Sequence, residues 1–542
     1  MIKHKLFNPF IKPSRMKFVI LSLVIIVFHF QTFSQNQLVS NQIGIGTTGE
    51  VSLNSATLSD GGMIMFCSTD AGISGMKTSP NIGGTDIWMV KLDASNGIVW
   101  QKTFGGTNNE TISEVIETTE GDLIVAATTF STISGNQTSG NHGSSDYWIL
   151  KLDANGNEIW QKSFGGTGFE QAKAISQISP TRYVLTGDSD SPISGDKTDI
   201  CKGITDSWTI LIDDNGNLLW DNTFGGNSLE SSVDIEYFEA SSEIIILCYS
   251  DSPISADKTE ANIGLSDSWI LKLDLSGNLI SQKTLGGIDD DVLCSITKIG
   301  TDNFYLVGSS LSGISGNKTS SNYGSSDAWV VKMNLNLNVL EDNNYGGAGF
   351  DALNGLVITS DNQKLLLGAS QSSNSFDVTE STYGLWDCWI LSVASDGTVN
   401  WSELIGGSSD DYILKLIEIT DNNYRIVSVT KSGISGDKTV GNYGGFDFWL
   451  FDLSTDLGIT EKGLSMIDTY PNPFTSNLTM NFQSLKENVE LVISSTDGKI
   501  ISKQTIPAGT TSFNIILDCE PQLLYYSLSG NTDCISGKLL KL

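Results

Sequence analysis

Basic side chains are scarce in this chain. Its 542 residues hold 31 Lys or Arg against 62 Asp or Glu, a formal net charge of -31, and the arginines are only Arg15, Arg182 and Arg425. A phosphate backbone is bound by clusters of Lys and Arg, so no nucleic-acid partner is expected. Histidine is equally rare: with His4 and His29 in the N-terminal segment described below, His142 is the one imidazole left. It supplies neither a zinc-ligand spacing nor a catalytic triad. No P-loop, Gly-x-Ser-x-Gly or dinucleotide fingerprint stands in a supporting strand and helix context. Proline is sparse, 10 residues against 55 Gly, and hydrophobic residues reach 39%. That balance suits many short strands joined by Gly-rich turns rather than disorder. Acidity of this kind reads first as solubility outside the cell, and second as cation capture.

Long apolar runs are missing with one exception. FVILSLVIIVFHF, at 18–30, follows Lys12, Arg15 and Lys17 and precedes the small residues Thr32 and Ser34. This is the layout of a secretory signal over 1–34, too short to span a bilayer. Met1 and Met16 are both consistent starts. No membrane span is expected after signal cleavage, and the mature chain is expected to be secreted or on the outer cell surface. The seven cysteines are too scattered for a disulfide framework: Cys67, Cys201, Cys248, Cys294 and Cys388 read as small apolar fillers. Cys519 and Cys534 fall on expected neighbouring strands near the C-terminus, where a disulfide and two free thiols both fit the sequence.

What the chain has in abundance is one phrase. Asp-x-Trp recurs at Asp86/Trp88, Asp146/Trp148, Asp206/Trp208, Asp267/Trp269, Asp327/Trp329, Asp387/Trp389 and Asp447/Trp449, with steps of 60, 60, 61, 60, 60 and 60 residues. A fixed period marks one supersecondary unit used repeatedly. Inside the unit the apolar alternation has period two, giving strands at QAKAISQI, RYVLTGDS, SWTILID and NLLWDNTF, the last two joined by an Asn-Gly turn. Four antiparallel strands in about 60 residues describe a propeller blade. The last copy lacks a fourth strand, while QLVSNQIGIG at 37–46 has the phase of a fourth strand with no preceding copy. The expected fold is therefore all-β, a seven-bladed β-propeller over 35–455 whose ring is closed by the N-terminal strand. Residues 456–467 read as a linker, and 468–542 as a small Ig-like β-sandwich with turns at Asp497-Gly498 and Pro507-Ala508-Gly509.

These motifs carry two resemblances. The order Gly-Gly-x-x-x-acid, YVLTG or FYLVG, then SSDAWVVKMN or SDSWILKLDLSGN resembles the bacterial seven-bladed β-propeller repeat family over roughly 37–455. KLDANGNEIW alone is also similar to pyrroloquinoline-quinone propeller repeats, without their cofactor pocket. The tail, with Tyr470, Pro471, Asn472 and Pro473, the hairpin SSTDGKII and the terminal SGKLLKL, resembles the type A C-terminal sorting domain of the type IX secretion system. QLLYYSLSG departs from the Gly-x-Tyr that family usually carries. The resemblance implies the type IX machinery as a partner and cleavage or surface attachment as the fate of the tail.

Candidate chemistry is acidic and repeated. Glu110, Glu170, Glu230, Asp291, Asp351 and Asp411, with Glu50 in the first copy, each stand five residues after the first Gly of a pair or its equivalent. A carboxylate ring of this kind would take Ca²⁺; a residue present in every blade reads more simply as blade construction, and no cofactor is expected. Trp100, Trp160, Trp220 and Trp401 read as stacking between blades. The sixth unit breaks the phrase: SNSFDVTESTYGLWDCW adds Phe376 and Trp386, which with Tyr323, Tyr383 and Tyr443 form a candidate ligand-contact surface. The sequence thus points to a monomeric binding or adhesion module for a glycan or extracellular protein. A carbohydrate-active enzyme, glycosidase or lyase, on the same upper face is the alternative.

Overall fold

A computed structural model describes residues 39–43, 51–454, 468–470, 472–481, 488–495, 499–529 and 534–542. The expected signal segment, Glu50, Pro471 and the expected linker lie outside these residues, as do the side chains of 39–43, 51–52, 468–470, 529 and 534–538. The chain divides into two compact units, Asn36–Asp456 and one that holds Leu457–Leu542. All described regular structure is β.

In the larger unit each repeat folds into one four-stranded antiparallel sheet, in chain order across the sheet. The third repeat shows the pattern: Glu170–Ser179, Arg182–Ser189, Asp206–Asp213 and Leu218–Phe224 pair successively. The sheets span 51–104, 110–164, 170–224, 230–285, 291–345 and 351–405, and a parallel bridge between Asp267 and Asp291 ties the fourth to the fifth. The last repeat supplies only Asp411–Thr420, Asn423–Thr430 and Asp447–Ser454; its fourth strand is Val39–Ile43, antiparallel to Asp447–Ser454 with Val39 opposite Asp452. The turn between third and fourth strands follows from its sequence. Asp213 Oδ1 accepts the amides of Asn215 and Asn217 at 2.9 and 2.8 Å, and Gly216 takes φ 74°, a conformation open to Gly.

Burial runs across each sheet in a gradient. Third strands are buried along almost their whole length, as in Asp146–Leu152, whereas fourth strands such as Glu158–Phe164 are only partly buried. Third strands read as continuous apolar runs because both of their faces meet a neighbouring sheet. All seven Asp-x-Trp indoles are fully buried, each worth roughly 3 kcal/mol of apolar burial. Six donate Nε1 to the fourth strand of their own sheet, as Trp148 does to Gln161 Oε1 at 3.0 Å. The fourth-strand indoles Trp100, Trp160 and Trp220 instead donate to carbonyls of the next sheet, Ala154, Asp214 and Leu275. Core clusters accordingly lie between successive sheets, and one joins Met65 and Trp88 of the first sheet to Val427 and Leu450 of the last.

Arg425, one of the three arginines, works at that junction. Its Nε and Nη2 donate to Asp452 at 2.8 and 3.1 Å, and Nη1 donates to Ala94 O of the first sheet at 3.0 Å. A planar fork with a fixed geometry suits this bridge better than a lysine.

First strands carry a bulge or register shift near their start, after the third pair in six of them, for example between Ile112 and Glu114. The residues that follow the bulge are Asn54, Glu114, Ala174, Asp234, Ser295, Gly355 and Lys415. First strands of all the sheets line one cavity of about 530 Å³.

The smaller unit has a three-stranded sheet, Asp468–Tyr470, Asn477–Asn481 and Ser512–Ile516, and a four-stranded one ordered Ile500–Ile506, Val489–Ser495, Gln522–Ser529 and Cys534–Lys541. Both sheets contribute to one core around Leu478, Met480, Leu491, Ile493 and Leu528.

Arg425→Met is expected to lower the stability of the larger unit by about 1–2 kcal/mol, since it removes a charge-assisted fork that is partly screened by solvent. The exposed Arg182→Met is expected to stay within about 0.5 kcal/mol. Urea denaturation of both variants checks the pair.

Candidate functional site

The repeated acids are built into turns. Glu110, Glu170, Glu230, Asp291, Asp351 and Asp411 open the first strands and are fully buried. Each accepts the amide of the second Gly of its pair, from Gly106, Gly166, Gly226, Gly287, Gly347 and Gly407, at 2.5–2.8 Å. Hydroxyls of the second strand or the loop after it fill their other valences: Thr129 on Glu110, Ser189 on Glu170, Ser250 on Glu230, and Ser310 and Ser312 on Asp291. Among the described residues no group of three His, Cys, Asp or Glu is arranged to hold a metal ion.

The Asp-x-Trp aspartates form the second acidic set, also fully buried. Their Oδ2 accepts amides of the long loop that leads into the third strand, as from Ile82 and Gly83 to Asp86 and from His142 to Asp146 at 2.7 Å. The His142 ring lies against the same oxygen, Nδ1 to Oδ2 2.7 Å, so the lone histidine serves the loop. The Oδ1 atoms of Asp86, Asp146, Asp206, Asp267, Asp327 and Asp387 are buried without a hydrogen bond among the described residues. They press on the first Gly of each pair: a Cβ on Gly165 would stand 2.3 Å from Asp146 Oδ1 and 2.9 Å from Glu170 Oε2. Two carboxylates therefore flank one glycine in a desolvated turn. Burial pushes Asp146, Asp206 and Asp387 up to about 6, and raises Glu110, Asp351 and Asp411 as well.

The long loops carry the exposed apolar residues. Ile73, Ile133, Ile193, Ile254, Ile314 and Ile434 occupy one repeat position and all stand well out of the surface. The sixth loop breaks the pattern at three places, with Asn374 for Ile, Phe376 for Gly and Val378 for Lys. Elsewhere the position of Phe376 holds Gly75, Gly135, Gly195, Ala256, Gly316 or Gly436 at φ 47–59°. Phe376 keeps that left-handed backbone, φ 50°, is 65% exposed, and stacks on Tyr323 of the fifth loop with centroids 4.8 Å apart. Tyr383, later in the sixth loop, and Tyr443, in the seventh loop, are exposed. Trp386 is half-buried and turns instead to Tyr412, which leans on Phe446.

The cavity between the first strands holds residues the sequence reading passed over. Glu114 Oε2 accepts the amide of Ile175 at 2.7 Å, and Asp234 accepts those of Ile296 and Ile235 at 2.7 and 2.8 Å. Burial first, then the like charge of Asp234, pushes Glu114 up to about 8; burial pushes Asp234 up to about 7. Lys415 is lowered by burial and feels the opposing pull of Glu114. A signal was present in the one inner-strand position where every copy differs.

In the tail, Asn472 Oδ1 accepts the Leu540 amide at 2.9 Å, and Phe474 exchanges backbone bonds with Leu540 and Leu542. Asn472, within the Tyr-Pro-Asn-Pro stretch, and Phe474, just after it, are thereby tied to the last strand. The Tyr470 side chain and Pro471 lie outside the described residues. Among the described residues Cys519 has no disulfide partner, and the Cys534 side chain lies outside them.

Residues 468–521 match the family of secretion system C-terminal sorting domains. The protein is accordingly secreted or attached to the cell surface through the type IX system, whose machinery its tail engages. The chain is similar to the regulatory protein FlaEY of Caulobacter vibrioides, 22% identical over 384 residues that make up 65% of this chain and 40% of that protein. The chain thus spans well under half the length of that relative. Among solved structures it aligns with an apocarotenoid oxygenase variant of Synechocystis at TM-score 0.35 and 10% identity, covering 68% of this chain and 93% of that one. The hydrazine synthase of Kuenenia stuttgartiensis aligns at TM-score 0.32 and 8% identity, covering 72% and 79%.

The buried aspartates give a testable pH dependence. Their folded-state pKa lies above the ordinary 3.8, so the folded chain holds more protons than the unfolded one between about pH 4 and pH 6. Their contribution is fully present below that window and lost as pH rises through it. Asp146→Asn keeps an acceptor for the loop amide and removes the titration; the fall in melting temperature from about pH 4 to pH 7 is expected to be shallower in this variant than in the parent chain.

Proposed function

We propose that the protein is an extracellular binding module: a seven-bladed propeller over 35–455, closed by its N-terminal strand, carried out of the cell by an Ig-like sorting domain over 468–542. The observation that carries the binding reading is Phe376. A bulky residue at positive φ costs of order 1–3 kcal/mol, and burial does not offset that cost here because the ring is 65% exposed. The other loops solve the same turn with Gly or Ala. What Phe376 adds is a flat apolar plate with Tyr323, beside exposed Tyr383 and Tyr443, on loops of the fifth to seventh sheets. Stacked rings of this kind suit the face of a sugar or an aromatic or aliphatic anchor of a protein partner. The recurrent acids Glu110, Glu170, Glu230 and Asp291 are engaged by turn amides and hydroxyls rather than held as a free carboxylate pair, which favours binding over hydrolysis.

Phe376→Gly restores the residue common in the repeat. It is expected to raise stability by about 1 kcal/mol while weakening capture of the ligand found in a glycan and extracellular-matrix screen by at least about tenfold. Equal binding by the variant would refute the reading, and turnover of a bound glycan would move it to a carbohydrate-active enzyme. Removal of residues 468–542 is expected to hold the protein in the periplasm by cell fractionation, with the larger unit's melting transition unchanged.

A further inference from the structure

The cavity between the first strands is asymmetric in a molecule that is otherwise repetitive. Just after the bulge the seven sheets offer two carboxyl groups, one ammonium and four neutral residues, no two alike. Glu114, Asp234 and Lys415 come from the second, fourth and seventh sheets and line the same cavity of about 530 Å³. It extends from the bulges past Glu117 and Glu236, toward the hairpins that join first and second strands and away from the long loops.

Construction does not account for these charges. Neutral groups suffice for lateral bonds at several places between neighbouring first strands: Ser113 donates to Ala172 O, Thr297 to Leu356 O and Asn354 to Ile413 O. Glu114 uses only Oε2 in its lateral bond; its Oε1 has no hydrogen bond among the described residues. Lys415 has neither a hydrogen bond nor an ion pair within 4 Å among them, although an ammonium confined there gains from any anion it can reach. Glu117 and Glu236, by contrast, are engaged, with Ser59 and with Lys298.

We propose that this cavity is a binding site for a small zwitterion, of amino-acid to dipeptide size. Its ammonium would face Glu114 and Asp234, and its carboxylate Lys415. The volume lies within the range of small-molecule pockets, and one ligand with both charges would complement both unsatisfied groups with charge-assisted hydrogen bonds. A simple cation would leave Lys415 unpaired and repelled, and a simple anion would face the two acids. The site is independent of the aromatic loop face, at the other end of the first strands.

Titration calorimetry on the mature chain with glycine, L-glutamate, L-lysine and glycylglycine, against ethylamine and propionate as single-charge controls, tests this. At least one zwitterion is expected to bind with a stoichiometry near one and to raise the melting temperature at about 10 mM, more tightly than either control. Glu114→Gln, which keeps an acceptor for the Ile175 amide, and Lys415→Met, which has no hydrogen bond to lose, are each expected to weaken binding by about tenfold or more. Phe376→Gly is expected to leave it unchanged. Absence of binding by all four zwitterions, indifference to both cavity variants, or ethylamine binding as tightly as the zwitterions would overturn the proposal.

Discussion

The larger unit depends on a buried carboxylate that has to be satisfied by backbone. The aspartate opening each third strand is shut off from bulk solvent, and it takes the amides of the loop that delivers the chain to it. That one requirement fixes much else. The loop closes on the carboxylate, the opposing turn carries a glycine because Oδ1 occupies the place of a Cβ, and the acid that follows binds the next amide of the same turn. The tryptophan two residues on fills the space between sheets only when the aspartate has set its strand. A buried charge is costly alone; here its cost is shared among several short bonds that are repeated from sheet to sheet.

Most of this frame was legible in the sequence because it repeats. The period placed the strands, the Asn-Gly turns placed the hairpins, and the incomplete final copy pointed to Val39–Ile43, which lies against Asp447–Ser454. The repetition of Glu170 and its equivalents also argued for construction, and their bonds to the Gly-Gly turns have that character. Phe376 was visible as an irregularity, but its left-handed backbone and its stacking on Tyr323 were not, because both depend on the fold of two separate loops. Trp386 stood beside it in sequence and turns away in space.

The cavity was not legible, for a physical reason. A bulge breaks the alternation of a first strand, so a reading at period two loses track of which side chains point inward. Glu114, Asp234 and Lys415 then look like ordinary polar residues of separate strands. Nothing in the chain brings them together except the packing of the first strands about one cavity, and their differing identities remove them from any repeat signal. The same filter that correctly set aside the recurrent acids hides a group that occurs once.

That bulge has an evolutionary consequence. The extra residue re-aims the side chain that follows it, and that side chain takes no part in the glycine turns, so its identity is free of the constraints that hold those turns constant. A gene built by duplication starts with seven equal copies, and most substitutions in them damage the frame. At this position a copy can change its chemistry alone, giving such a molecule a way to acquire new ligands one side chain at a time while its architecture stays fixed.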